Sequence, residues 1–217
     1  MSKSQKTEYS AETEAEHLNK TSDSSTPSLS RCWWCGNDPL YIQYHDDEWG
    51  RPVHDDRKLF EMLILEGAQA GLSWITILRR REGYRTVFDN FDPVVNAAYT
   101  DEDLAAKLKD ERIIRNRLKV FSVRSNAIAF LKIVETYGSF DAFIWQFTGG
   151  KTIVNALKSP DDVIVTSPES DAMSKALKKS GFKFIGSTIC YAYMQAVGMV
   201  NDHLVDCHCY TTINHLI

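Results

Sequence analysis

The chain has 217 residues, an apolar share of 43% and a formal net charge of −4. That is enough to bury a full core, as one large domain or a pair of small lobes. No run of about 18 apolar residues occurs, which excludes a membrane-spanning helix; the N-terminus has no apolar leader, which fits a cytoplasmic protein. The weakly acidic balance excludes a uniformly basic nucleic-acid binder but leaves room for one basic face.

Residues 1–30 are rich in Ser, Thr, Glu and Lys and almost free of large apolar side chains. Such a segment cannot offset its ordering entropy and is expected to be a disordered tail, with the folded domain spanning 31–217. The domain opens on "RCWWCGNDPLYIQYHDDEWG", dense in aromatics, two cysteines and a histidine. Helical spacing follows. "DDRKLFEMLILEGAQAG" carries Asp55 or Asp56 as a cap and Leu59, Met62 and Leu63 on one face. "LSWITILRRREGY" predicts a second helix from Ser73, and Thr100 with Asp103 reads as an acidic capping box. Val120, Val123, Ala127, Leu131 and Val134 form a stripe that stops at Gly138. "SFDAFIWQF" comes next. Residues 149–166 are the least helical, with "DDVIVT" expected to be briefly extended. Ser167, Pro168 and Gly181 then delimit one helix, and Ser187 caps the last long one. No run alternates long enough for a real sheet, so the fold class is all-α.

Five cysteines, clustered near the two ends of the domain, favour metal binding or free thiols over a disulfide framework. Cys32 and His45 at one end, with His203 and Cys207 at the other, make two thiolates and two imidazoles, a common closed tetrahedral zinc set. His203 and Cys207 are four apart, so a helical turn would point both to one side. A bound ion would clasp the start of the domain to its end. Cys35, His208 and Cys209 are surplus candidates. Plain buried thiols and a hydrogen-bonded core histidine account for the same residues without metal. "CWWC" also has the spacing of a redox dithiol, but the βαβ pattern that accompanies such motifs is absent.

Two stretches are basic. One holds Lys107, Lys109, Arg112, Arg115, Arg117, Lys119 and Arg124; the other holds Lys175, Lys178, Lys179 and Lys183. Each is equally consistent with a solvated helix face. In "LKKSGFKFIGSTICYAYMQAVG", Gly181 and Gly186 frame a tight turn between two helices. A turn that ends at a helix N-terminus suits a phosphate, and Lys178, Lys179 and Lys183 add charge beside it.

The motifs "DPLYIQYHDDEWG", "LFEMLILEGAQAGLSWITILRRRE", "IIRNRLK" and "GFKFIGSTICY", continued by "YMQAVGMVNDH" and a later cysteine, resemble the DNA-3-methyladenine glycosylase I family over about residues 31–210. The resemblance implies a two-lobed, all-helical helix-hairpin-helix fold, with the hairpin around 175–199. It implies a monofunctional base-excision enzyme that hydrolyses the N-glycosidic bond of 3-methyladenine in double-stranded alkylated DNA, acting as a monomer in the cytoplasm. One structural zinc would sit on Cys32, His45, His203 and Cys207. The base pocket would fall on Glu66 as the catalytic carboxylate, with Trp74 as stacking platform, Tyr44 beside it and Trp34, Tyr41 and Trp49 nearby. Lys178, Lys179, Gly181, Lys183 and Gly186 would meet the DNA backbone. The family lacks the usual catalytic aspartate of its superfamily; Asp202 is read as structural first and water-orienting second.

Glu66 stands in an otherwise apolar helix, where a carboxylate is costly without a partner, and a cationic base is one such partner. Two other classes remain open. A same-fold glycosylase for another damaged base would share every motif. A non-catalytic, zinc-containing DNA-binding module would have no need of Glu66 or the aromatics.

Overall fold

The structure is a computed structural model that describes residues 29–216. The expected disordered tail, residues 1–30, lies outside the described residues except for its last two.

A short 3₁₀ turn, Trp33–Cys35, leads into α1 (Pro39–Asp47). The Asp38 carboxylate accepts from the first N–H groups of α1, and Pro39 occupies the first position, where no N–H is needed. Next, α2 (Asp56–Gln69) is capped by Asp55 and is buried without a break from Leu59 to Ala68. A helix buried over ten successive residues belongs at the centre of a domain, and the others pack around it. The single helix expected from Ser73 is two, α3 (Trp74–Leu78) and α4 (Arg81–Val87). The chain turns at Arg79 and Arg80, and the buried Arg81 then reaches Glu48 at 2.6 and 2.8 Å and Glu61 at 2.9 Å. A straight helix would have to forgo those bonds and strand a buried guanidinium.

After α5 (Pro93–Ala97), the Thr100–Asp103 capping box starts α6 (Asp101–Lys107) as expected. The long helix α7 (Arg117–Tyr137) buries Val120, Val123 and Ala127, packs Leu131 and Val134 against the core, and ends at Gly138 with φ of +85°. Then come α8 (Phe140–Trp145), α9 (Pro168–Lys179), α10 (Ser187–Ala196) and α11 (His208–Asn214). The extended segment is not "DDVIVT". It is β1 (Ile153–Val154), paired in parallel with β2 (Val200–Asn201), while Ser159–Asp162 close a 3₁₀ turn. Ile153 N–H donates to Met199 and Asn155 N–H to Asn201, bonds that the later valines do not find.

The α9–α10 pair forms a helix–turn–helix. Gly181, with φ of +102°, closes the first helix. Ser187 does not cap the second: Gly186 holds that position, and the Ser187 hydroxyl instead bonds Asp171 and Ser170 on α9. Both helices are thereby tied at the turn. Gly67 lets this turn lie on α2, since a Cβ there would stand 3.3 Å from Phe184. Asn126 of α7 grips the same turn through the N–H (2.8 Å) and carbonyl (3.2 Å) of Lys183. Among the described residues no helix is long and apolar enough to cross a membrane.

The linker from α1 to α2 is fixed on the end of α10. Gly50 N–H donates to Gln195 and Val53 N–H to Val197. Gly198, at φ +72°, sits so close that a Cβ would fall 2.2 Å from the Arg51 carbonyl carbon. Gly198→Ala is expected to lower unfolding free energy by about 1–3 kcal/mol or more through overpacking and left-handed strain. Urea unfolding followed by circular dichroism measures it, and an unchanged midpoint would contradict the close approach.

Candidate functional site

A cavity of about 220 Å³ opens between α1, α2, α3 and α10. It brings together all six residues expected from the sequence: Tyr41 and Tyr44 from α1, Trp34 and Trp49 flanking that helix, Glu66 from α2 and Trp74 from the first turn of α3. The volume lies a little below the roughly 300 Å³ at which small-molecule pockets begin, a size for one flat base rather than a nucleotide. The Tyr44 and Trp74 rings pack against each other in the lining, with centroids 5.4 Å apart at 47°. Trp34 packs edge-on to Trp49 at 4.8 Å and against Tyr41 at 5.0 Å.

Glu66 is 3% exposed, and its Oε2 has no hydrogen-bond partner among the described residues. Trp74 Nε1 is likewise buried and unpartnered. Burial alone pushes the Glu66 carboxyl up to about 8. The same desolvation moves the Tyr41 phenol up to about 12 and Tyr44 well above its ordinary value. The pocket thus holds two polar atoms with nothing to bond, one a carboxyl that prefers its proton until a cation arrives.

Further lining residues went unread in the sequence: Trp33, Gln69, Val163, Ala192 and Gln195. Gln69 is three residues beyond Glu66 on α2, hence on the same face, and that periodicity could have pointed to it. Gln195 is a lone polar residue in the apolar run of α10. Asp202 also lines the cavity and is 3% exposed. It accepts from Asn155 Nδ2 (2.6 Å), Tyr191 Oη (2.8 Å) and Gln195 Nε2 (2.8 Å). These bonds join the segment after β1, α10 and the segment after β2, the structural task expected of it.

Behind the pocket lies the Cys/His cluster. Cys32, His45, His203 and Cys207 are all buried, with their ligand atoms within 4.8 Å of one another. Cys32 Sγ is 3.6 Å from His203 Nδ1; Cys207 Sγ is 3.5 Å from both His203 Nδ1 and His45 Nε2. A tetrahedron with zinc–ligand bonds of about 2.0–2.3 Å has edges of roughly 3.3–3.8 Å, so the donors present fit that ion. The other ring nitrogens are held as metal-binding imidazoles require: His45 Nδ1 faces Asp46 at 2.7 Å and His203 Nε2 faces the Trp49 carbonyl at 3.1 Å. Burial opposes ionisation of Asp46, yet hydrogen bonds from Arg31, His45 and His208 hold its carboxyl well below the usual range. Cys32 precedes the 3₁₀ turn and His45 lies within α1. The geometry at the other end differs from expectation. His203 and Cys207 lie on an irregular segment closed by a Cys207 N–H to Leu204 bond, because the helix starts only at His208. Cys35 stands outside the four; its buried thiol donates to the Cys32 carbonyl at 3.2 Å.

The aromatics and the cluster are one packed unit. Trp34 lies 5.2 Å from His45, and Trp49 lies 4.6 Å from His203 at 78°. Pocket walls and ligands therefore hold each other in place.

At the turn between α9 and α10, Lys178, Lys179, Gly181 and Lys183 are exposed and Gly186 is half-buried. In the basic run 107–124, Lys109, Arg112, Arg115 and Arg117 are exposed, and several of its cations are paired. Lys107, Arg112, Arg115 and Arg124 pair with Asp89, Asp110, Glu111 and Asp101. Lys119 bonds the carbonyls of Ala68 and Ala70 at the end of α2.

Known proteins share this architecture. A family model described as methyladenine glycosylase matches residues 34–210. The DNA-3-methyladenine glycosylase 1 of Escherichia coli (strain K12) is 50% identical over 182 residues, 84% of this chain and 97% of the relative. The DNA-3-methyladenine glycosylase of Haemophilus influenzae is 48% identical over 183 residues, 84% of this chain and 99% of the relative. A crystal structure of a 3-methyladenine DNA glycosylase I superposes with a TM-score of 0.82 at 51% identity, over 83% of this chain and 100% of that one. The Staphylococcus aureus enzyme, solved for the structural basis of its 3-methyladenine recognition, superposes at 0.81 with 36% identity, over 83% of this chain and 96% of that one. With the family model spanning nearly all of the described fold and these identities behind it, the chain belongs to the methyladenine glycosylase family.

Proposed function

We propose that the chain is a DNA glycosylase of base-excision repair that hydrolyses the N-glycosidic bond of 3-methyladenine. One observation carries this reading: a buried carboxyl without a partner faces a cavity walled by aromatic rings. Methylation at N3 leaves adenine positively charged in DNA. A flipped base of that kind offers a flat face to Trp74 and Tyr44 and a cation to Glu66. Normal adenine is neutral and would leave the Glu66 anion uncompensated, so selectivity arises from the penalty on the wrong base as well as attraction to the right one.

Binding by itself lowers no barrier. In the reaction, water attacks C1′ while the C1′–N9 bond breaks and its electron pair neutralises the departing base; a proton from the water leaves to solvent. Positive charge passes from base to sugar as this happens. Glu66 and Asp202, two carboxylates that line the cavity from different elements, would face that charge, and Asp202 is the candidate to orient the water. No lysine takes part, which fits hydrolysis without an imine or strand cleavage.

Cys32, His45, His203 and Cys207 would hold one structural zinc ion per chain. When bound, the ion supplies a closed crosslink between the two ends of the domain and no chemistry on the substrate. The segment around 175–199 serves as the helix-hairpin-helix that meets double-stranded alkylated DNA through Lys178, Lys179, Lys183 and the backbone at Gly181 and Gly186. Residues 31–217 act as one monomeric glycosylase domain.

Base release from methylated DNA, resolved by product, tests the function: 3-methyladenine is expected to exceed 7-methylguanine and 3-methylguanine, and release of no base would overturn it. Glu66→Gln should lower kcat/KM for that release by roughly 10²–10³-fold, the scale for losing one preorganised electrostatic partner. The raised carboxyl also predicts a pH limb. In the free enzyme Glu66 keeps its proton below about 8, so wild-type kcat/KM rises with pH and levels off near that value. The Gln variant has no such limb, and a limb that survived in it would assign the titration elsewhere. Elemental analysis should find about one zinc per chain, lost in Cys207→Ser together with thermal stability, since such sites contribute on the order of 10 kcal/mol. Metal-free protein that melts like wild type would remove the clasp.

A further inference from the structure

Of the basic run 107–124, Lys109 and Arg117 are in no ion pair among the described residues, and Arg117 is the one that adjoins the α9–α10 turn through its neighbour Leu118. Arg117 is exposed and makes no ion pair among the described residues; its guanidinium lies 4.0 Å over the ring of Phe121, one helical turn along α7. Stacking on an aromatic face fixes a guanidinium without neutralising it. Beside it, Leu118 is 71% exposed, an unusual position for a leucine in the first turn of the longest helix. Leu118, Phe121, Ser122 and Ser125 line one side of a shallow, mainly apolar groove of about 450 Å³; Lys183 and Phe184 of the α9–α10 turn line the other. Lys183 too is exposed and makes no ion pair among the described residues.

Three independent contacts fix the position of this groove. Asn126 holds Lys183 to α7. Phe184 rests on Gly67, the neighbour of Glu66. Lys119 binds the end of α2, from which the chain turns to Trp74. The groove is thus rigidly attached to the elements that build the pocket, next to the proposed DNA contact of the hairpin.

We propose that this groove is a second contact with duplex DNA, in which Arg117 and Lys183 each bind a backbone phosphate and Leu118 with Phe184 covers the apolar deoxyribose faces between them. The inference rests on the glycosylase reading only for the choice of DNA as partner. Its chemistry is what the surface offers: two unneutralised cations at the rim and an apolar floor, complementary to a strand whose phosphates alternate with sugars.

The two halves of the contact have different signatures. Arg117→Gln should weaken binding of full-length protein to undamaged duplex DNA several-fold and reduce the slope of log K against log salt by about 1, as loss of a phosphate contact does. Leu118→Ser should weaken binding at every salt concentration with the slope unchanged, because no counterion is involved. Both side chains are exposed, so thermal melting should stay near wild type. Binding of free 3-methyladenine, followed by tryptophan fluorescence, should be untouched in both variants. Full DNA affinity in either variant overturns the contact, as does a loss that melting traces to unfolding while Lys183→Gln keeps full affinity and slope. The readout uses undamaged DNA and salt dependence, so a wild-type protein that released no methylated base would refute the glycosylase reading without deciding this one.

Discussion

The organisation of this protein turns on a buried carboxyl group without a protein partner. Glu66 sits in α2, which is buried from Leu59 to Ala68, and none of the described residues hydrogen-bonds its Oε2. A fold optimised for stability alone would place an apolar residue there, since a buried polar atom without a partner costs on the order of 1–3 kcal/mol. The surrounding structure tolerates that cost through a densely packed core on the other faces of α2. Strain of this sort is concentrated where a ligand removes it.

Around that group the pocket is built by elements far apart in the chain. The aromatic wall arises from residues 33–49 and 74, the floor from α2 and the opposite side from α10 and Asp202. Two devices hold these parts in register. One is the Cys/His cluster, whose histidines are also packing surfaces for Trp34 and Trp49. The other is the hydrogen-bond set on Asp202, which joins Asn155, Tyr191 and Gln195. The walls are rigid because each residue is fixed by a neighbour with a separate structural duty.

Much of this was legible in the sequence, for reasons that can be named. Caps such as Asp55, Thr100 and Ser167 act within one turn, so local pattern found them. The four Cys/His residues are chemically scarce, and scarcity at the two ends of a domain signals their meeting. Glu66 was conspicuous as a carboxylate in an apolar helix. What escaped depends on partners distant in sequence. The break between α3 and α4 answers to Glu48 and Glu61, which draw Arg81 inward. The strand pair answers to Met199 and Asn201. In the basic run, Lys107, Lys119 and Arg124 are tethers to distant carbonyls while the others stay at the surface, a distinction that composition does not carry.

One of those tethers bears on the pocket from outside. Glu66 lies in the final turn of α2, where the carbonyl ends of the peptide dipoles gather negative potential. The ammonium of Lys119 is seated on two of those carbonyls, Ala68 and Ala70. Its positive charge offsets part of that potential at the helix end. Whether Glu66 holds its proton then changes the charge that an arriving purine meets.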